Sequence, residues 1–288
     1  MNWKNIIEKA ASYLNEKGVP DAETAGELLA ARLLGVGRGF LVSYLEREVS
    51  PKYLDAMRRG MKRLVSGEPL QYVLGEWDFR TLTLKCDKRA LIPRPETEEL
   101  VTRVLNHLSQ NYQTSRPVVV DVGTGTGAII LSLAAEYKKD AFFIGTDISA
   151  DAIALAKENA AKLSLHDKVN LVVADGLDEF DEPESIDIIV SNPPYIESAV
   201  CPTLDARVYR HEPILALDGG ASGLDFYDRY LSDALHLLKD SGAIFFEIGE
   251  GQGQAVSKLM YDYGFTDIRI EKDFSGHDRF ASCRLQMP

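Results

Sequence analysis

The sequence predicts an α/β protein with a doubly wound parallel sheet, preceded by a small helical N-terminal part. Three observations predict it. From about residue 117 to residue 270, short β-branched runs alternate with segments of helical period. The first run, Val118-Val119-Val120, leads into the loop Asp121-Val122-Gly123-Thr124-Gly125-Thr126-Gly127-Ala128. A later run, Ile186 to Val190, leads through Ser191 into Asn192-Pro193-Pro194-Tyr195. Open α/β sheets bind ligands outside the carboxyl ends of their strands, so both loops fall where a site belongs.

At the N-terminus, Trp3, Ile6, Ile7, Ala10 and Leu14 recur at helical spacing, and Gly18 and Pro20 close that helix. Ala25, Leu28, Leu29 and Leu33 form a second stripe, ended near Gly35 and Gly37; Tyr53, Met57, Met61 and Leu64 form a third. A helix bundle over residues 1–70 accounts for these stripes. From about Gln71 to Cys86, strand-like alternation with Thr81 and Thr83 between Leu82 and Leu84 predicts a hairpin. With the stiff connector Ile92 to Pro95, it makes a bridging segment over 71–95. The α/β domain then spans 96–288, with Glu96 starting its first helix. Its further strands are expected at Phe142 to Gly145, Val169 to Val173 and Ala243 to Glu247. Gly249, Gly251 and Gly253 read as a structural turn.

The net charge is −12, unevenly spread. Of 32 Lys/Arg and 44 Asp/Glu, residues 1–80 carry 12 and 11, leaving 20 and 33 for the rest. So acidic a catalytic half is a poor match for a polyphosphate substrate, and no direct nucleic-acid partner is expected. Arg59, Lys62 and Arg63, with Arg58 beside them, share one stretch of the third helix, more simply a solvated face than a docking patch. Cys86, Cys201 and Cys283 are far apart and the five histidines scattered, so neither a disulfide framework nor a metal site is expected. Without a signal peptide or a long apolar span, a cytoplasmic enzyme away from membranes is expected.

Gly123, Gly125 and Gly127 allow a tight turn and close approach of a ligand to the backbone. The following helix points its positive end at the loop. Gly123, Gly125 and Ala128 also satisfy the dinucleotide pattern, and Asp147 lies about 20 residues on, where a ribose-binding carboxylate belongs. A nicotinamide enzyme and a methyltransferase share these features. No Walker lysine follows, which argues against a P-loop nucleotidase. Two further carboxylates favour S-adenosylmethionine. Asp121 is placed to meet a cationic methionine end, and Asp175, after Val169 to Val173, to accept from an adenine amino group. Against these readings, Asp121 can bond the turn's own N–H groups and Asp175 can be a solvated loop residue.

Two prolines in Asn192-Pro193-Pro194-Tyr195 remove two backbone donors and fix two φ angles. The Asn192 oxygen and a proline carbonyl can take the two hydrogens of a planar NH₂ group, and Tyr195 can cover its π system. Such a grip orients a poorly nucleophilic nitrogen. A Pro-Pro turn that merely ends a strand is the plain alternative.

Together these residues resemble the HemK-like protein-(glutamine-N5) methyltransferases of peptide chain release factors. Gly67-Glu68-Pro69-Leu70-Gln71-Tyr72 and Leu91-Ile92-Pro93-Arg94-Pro95-Glu96-Thr97-Glu98 resemble family signatures, as do Glu212-Pro213, Gly219-Gly220, Gly223-Leu224, Glu247-Ile248-Gly249 and Asp278-Arg279. The resemblance implies a helical N-terminal domain joined to a seven-stranded Rossmann-like class I methyltransferase domain. It implies that Asp121, Gly123, Thr124, Gly125, Thr126, Gly127, Asp147, Asp175, Gly176 and Asn192 form the S-adenosylmethionine site. Asn192, Pro193, Pro194 and Tyr195 would hold the target glutamine, with Asn192, Pro193 and Tyr195 in catalytic roles and a release factor as protein partner. One departure stands out: family members often carry an aromatic residue where Gly176 follows Asp175. The rival reading is an adenine-N6 methyltransferase of DNA or RNA, whose flipped base would offer a similar amino group.

Overall fold

The computed structural model describes residues 1–286. The chain forms two compact units. One comprises Met1–Trp77 with the short segment Asp205–His211; the other comprises Asp78–Leu204 and the residues from Glu212 onward.

The first unit is helical: α1 (Trp3–Glu16), α2 (Ala22–Leu34), α3 (Pro51–Val65) and α4 (Leu70–Leu74). Asn2 caps α1 by accepting from the Asn5 N–H at 3.1 Å, and Gly35 ends α2 in the left-handed region. Trp3, Ile6, Leu14, Leu29, Met57 and Leu64 form its core, as their spacing predicts. The basic stretch of α3 is partly spent inside the unit. Arg63 bonds both Glu68 oxygens and the carbonyls of Tyr72 and Val73. The strand expected from Gln71 instead begins at Glu76. Leu70, Val73 and Leu74 have helical spacing, and Gly75, at φ 76°, ends that turn. β1 (Glu76–Phe79) and β2 (Leu82–Lys85) then form the hairpin. The Asp205–His211 segment carries the four-residue α8 (Ala206–Tyr209).

The second unit is a seven-stranded sheet in the order β5-β4-β3-β6-β7-β9-β8. The strands are β3 (Val118–Val122), β4 (Phe142–Asp147), β5 (Val169–Val173), β6 (Ile186–Ser191), β7 (Leu238–Glu247), β8 (Thr266–Lys272) and β9 (Asp278–Arg284). β3 to β7 pair in parallel, and β9 runs antiparallel to both its neighbours. Alternate residues feed opposite faces. Val119, Ile188 and Val190 pack in a cluster with residues of α5 (Pro95–Asn111), α6 (Ala128–Glu136) and α7 (Ala150–Lys162). Val120, Val122 and Ile189 pack in one with residues of α9 (Asp225–Leu237) and α10 (Gly253–Asp262). Burial on both faces explains why these strands read as continuous apolar runs. The strand order reverses between β3 and β6, which opens a crevice at their carboxyl ends.

Candidate active site

The two loops singled out in the sequence leave the sheet side by side. Val122 and Ser191 are paired in the β3–β6 register, and the Ser191 hydroxyl donates to the Val122 carbonyl at 2.6 Å. Beyond Val122 comes Gly123 to Gly127; beyond Ser191 comes Asn192 to Tyr195. The first loop turns because Gly123, Gly125 and Gly127 take φ values of 75°, 57° and 82°, open to glycine at little cost. The N–H groups of Gly123 and Thr124 donate to the Thr146 carbonyl at 2.9 and 2.8 Å, which ties the loop to β4.

A cavity of about 330 Å³ lies at this crevice, within the range of small-molecule sites. Gly123, Gly125, Asp147, Asp175, Gly176, Asn192 and Pro194 line it, as do Phe226, Arg229 and Tyr230 of α9. Asp147 closes the end of β4. Its carboxylate accepts from the Gly125 N–H and the Ser149 N–H, both at 2.9 Å, and burial raises its pKa. Asp175 faces a guanidinium: Arg229 donates to its carboxylate at 2.6 Å and to its carbonyl at 2.8 Å. No aromatic side chain follows Asp175, but a β-carbon at Gly176 would stand 3.1 Å from the Tyr230 ring. An aromatic surface therefore reaches this place from α9.

The remaining loop residues face inward. Thr124 and Thr126 are buried; the Thr124 hydroxyl donates to Asp121 at 2.6 Å, and the Thr126 carbonyl accepts from Asn159 at 2.9 Å. Gly127 lies against Leu131 and Ala156. Asp121 is completely buried beneath the loop, and burial pushes its pKa up to about 7. Its Oδ1 has no hydrogen-bond partner among the described residues. Asp121 is enclosed beneath the loop, where the Thr124 hydroxyl and the Ile130 N–H favour its ionised form against burial, while Asp147 lies at the cavity itself, where a carboxylate suits a sugar-like part of a ligand.

The second loop is held by residues far away in sequence. The Asn192 amide donates to the Thr97 hydroxyl at 3.1 Å, and Thr97 donates to the Glu247 carboxylate at 2.6 Å. Thr97 is 5% exposed and Glu247 1%. Burial pushes the Glu247 pKa up to about 7, with the Thr97 hydrogen bond acting in the other direction. Gln252 donates to the Tyr195 carbonyl at 3.0 Å and to the Gly223 carbonyl at 3.1 Å, while accepting from the Gly249 N–H at 2.8 Å. A β-carbon at Gly219 would lie 2.7 Å from the Pro194 carbonyl oxygen, and one at Gly223 2.4 Å from that of Tyr195. These glycines let the chain pass close behind the proline loop. Pro193 is buried, and Tyr195 packs against the sheet core. Burial takes the Tyr195 pKa up to about 12, so its ring stays neutral.

Arg89, Ala90 and Leu91, just before the connector, also line the cavity. Glu212 is buried; it accepts from the Ile92 N–H at 3.1 Å and from Arg94 at 2.6 Å. Thr97, Glu247 and Gln252 lie within or beside motifs visible in the sequence, but only the folded chain brings them to the loop. The three cysteines are free and buried, and among the described residues no cluster of metal-ligating side chains occurs.

The fold and the crevice define a class I methyltransferase. Residues 5–75 match the family described as PrmC N-terminal domain, and residues 113–249 match a methyltransferase domain. A release factor glutamine methyltransferase of Clostridium acetobutylicum is 37% identical over 284 residues, covering 97% of each chain. The human MTRF1L release factor glutamine methyltransferase is 33% identical over 300 residues, covering 100% of this chain and 86% of that protein. Among solved structures, a methyltransferase from Pyrococcus furiosus aligns with a TM-score of 0.53 at 16% identity, over 72% of this chain and 91% of that one. The chain belongs to the release factor glutamine methyltransferase family.

Proposed function

We propose that this enzyme methylates the side-chain amide nitrogen of a glutamine in a peptide chain release factor, using S-adenosylmethionine. The observation that carries the proposal is the pairing of Val122 with Ser191, which starts a glycine loop and an NH₂-gripping loop from adjacent strand ends. S-adenosylmethionine, when bound, supplies a methyl group on a positively charged sulfur. Gly123 to Gly127 would cradle it, Asp147 would accept from its ribose hydroxyls, and Asp121 would sit beneath its cationic end. Phe226 and Tyr230 offer the adenine an aromatic surface that Gly176 lacks.

The chain's own part in the reaction is positional. One Asn192 Nδ2 hydrogen is committed to Thr97, which fixes the amide so that its Oδ1 is the acceptor for one amide hydrogen. The Pro193 carbonyl takes the other, and the neutral Tyr195 ring covers the amide plane. Two fixed acceptors favour the more pyramidal, electron-rich nitrogen of the transition state and require little reorganisation. Proline geometry keeps them in place at no added entropy cost. The lost proton leaves to water. A cytoplasmic location fits a release factor substrate; among the described residues no helix is long and apolar enough to cross a membrane.

The test is transfer of labelled methyl from S-adenosylmethionine to a release factor whose Gly-Gly-Gln glutamine is intact or replaced by alanine. Unmodified DNA and RNA run alongside. Label in the intact release factor alone supports the proposal. Label in nucleic acid, or undiminished label after the alanine replacement, contradicts it.

A further inference from the structure

Asn192 can serve as an acceptor for a substrate NH₂ only if its amide is held one way round. Turned over, it would present an NH₂ to an NH₂. The structure contains a device for this choice. Thr97 lies in the first turn of α5 and Glu247 at the end of β7, so the three residues come from separate elements. A carboxylate can only accept. It therefore takes the Thr97 hydroxyl proton at 2.6 Å, which leaves a Thr97 lone pair to accept from Asn192 Nδ2 at 3.1 Å. The polarity set at Glu247 passes through one hydroxyl and ends with Asn192 Oδ1 aimed away from Thr97. Among the described residues Oδ1 has no hydrogen-bond partner, and Asn192 lines the cavity.

We propose that Thr97 and Glu247 are positioning residues for the reaction: Glu247 fixes the direction of a buried hydrogen-bond chain whose far end makes Asn192 an acceptor. The inference rests on the proposed role of Asn192 in gripping the substrate amide. Protonated Glu247 could donate to Thr97, freeing the Thr97 hydroxyl to donate to an inverted Asn192. Turnover should then fall on the acid side. The charged and titratable groups acting on Glu247 are Arg279 from β9, Arg94 and Glu96 at the start of α5, Tyr195 from the proline loop and Tyr227 from α9. Arg279 and Arg94 favour its ionised form and Glu96 opposes it.

The experiment is a mutant cycle on full-length enzyme with a release factor substrate. Thr97→Val keeps shape and removes the hydroxyl. It should lower kcat by about 10- to 100-fold, with KM for the release factor and S-adenosylmethionine affinity little changed. Thr97→Ser should restore most of that turnover. In an Asn192→Ala background, Thr97→Val should have no further effect, because the group it acts through is gone. Glu247→Gln should lower kcat and remove the acid limb of its pH profile. Should Thr97→Val not fold, as judged by thermal melting, Glu247→Gln takes its place in the cycle. Full kcat in Thr97→Val, or an equal loss with and without Asn192, overturns the inference. Normal turnover in Asn192→Ala alone overturns the proposed grip of Asn192 on the amide as well, whereas absence of methyl transfer to the release factor by the unaltered enzyme overturns the proposed function, so the failures are distinguishable.

Discussion

The Ser191 hydroxyl donates to the Val122 carbonyl across the β3–β6 boundary at 2.6 Å, and the two residues are register partners. Each is the last residue of its strand. This bond ties together the starts of the two loops that the reaction needs to meet. Removing it with Ser191→Ala leaves a buried carbonyl one partner short, at a cost of about 1–3 kcal/mol. A melting temperature lowered by several degrees, with activity reduced more than stability at assay temperature, is the expected outcome.

Asn192→Ala removes the oriented acceptor without touching the cofactor loop. Turnover should fall by on the order of 10²-fold or more, and S-adenosylmethionine binding should weaken far less than turnover. Single-turnover kinetics and calorimetric titration of the cofactor check the two halves separately. Near-normal turnover would refute the grip on the amide.

Asp147→Ala should weaken S-adenosylmethionine binding by about 10- to 100-fold, the usual worth of hydrogen bonds to a charged group. The variant also releases the Gly125 and Ser149 N–H groups, so part of the loss comes from a looser loop. Asp147→Asn keeps an acceptor and should lose less. Equal affinities in all three proteins would remove Asp147 from the cofactor site.

Much of this site was legible in the sequence because strand ends announce themselves. Val119 and Val120 and the run Ile186 to Val190 are buried, and the Gly and Pro residues that follow mark the turns. Single-sequence patterns do not reveal partners 95 or 150 residues apart, which is how Thr97 meets Asn192 and Glu247. Gln252 was hidden for the same reason: it lies just past β7, but its work is on Tyr195 and Gly223. The placement of Asp205–His211 with the helical unit has no local signal either, since a four-residue helix carries little periodicity. Gly176 reads as a missing aromatic until α9 is seen to bring Phe226 and Tyr230 to the same cavity.

Gly223→Ala should disturb the proline loop from behind. The added carbon would sit 2.4 Å from the Tyr195 carbonyl oxygen, at a backbone φ of 70° that alanine rarely adopts. Loss of about 1–3 kcal/mol of stability and a clear drop in kcat are expected, with cofactor affinity nearly intact. Denaturant melts and cofactor titration distinguish this from general unfolding.

The contribution of Asp121 and Glu247 to the stability of the ligand-free enzyme should fall as pH rises from about 4 to about 7. Burial raises the pKa values of Asp121 and Glu247 to about 7, whereas both groups ionise near 4 in an unfolded chain. Between these values the folded state holds more protons, so deprotonation favours unfolding. Asp121→Asn should flatten part of that slope in melting curves taken from pH 5 to pH 8. An unchanged slope would mean that Asp121 ionises normally in the folded chain.

The most direct measurement is a crystal structure of the enzyme with S-adenosylhomocysteine and a glutamine-containing release factor peptide. The amide nitrogen should lie within hydrogen-bond distance of Asn192 Oδ1 and the Pro193 carbonyl, facing the cofactor sulfur across the crevice between β3 and β6. A glutamine bound elsewhere, or a cofactor sulfur pointing away from Asn192, would contradict the account.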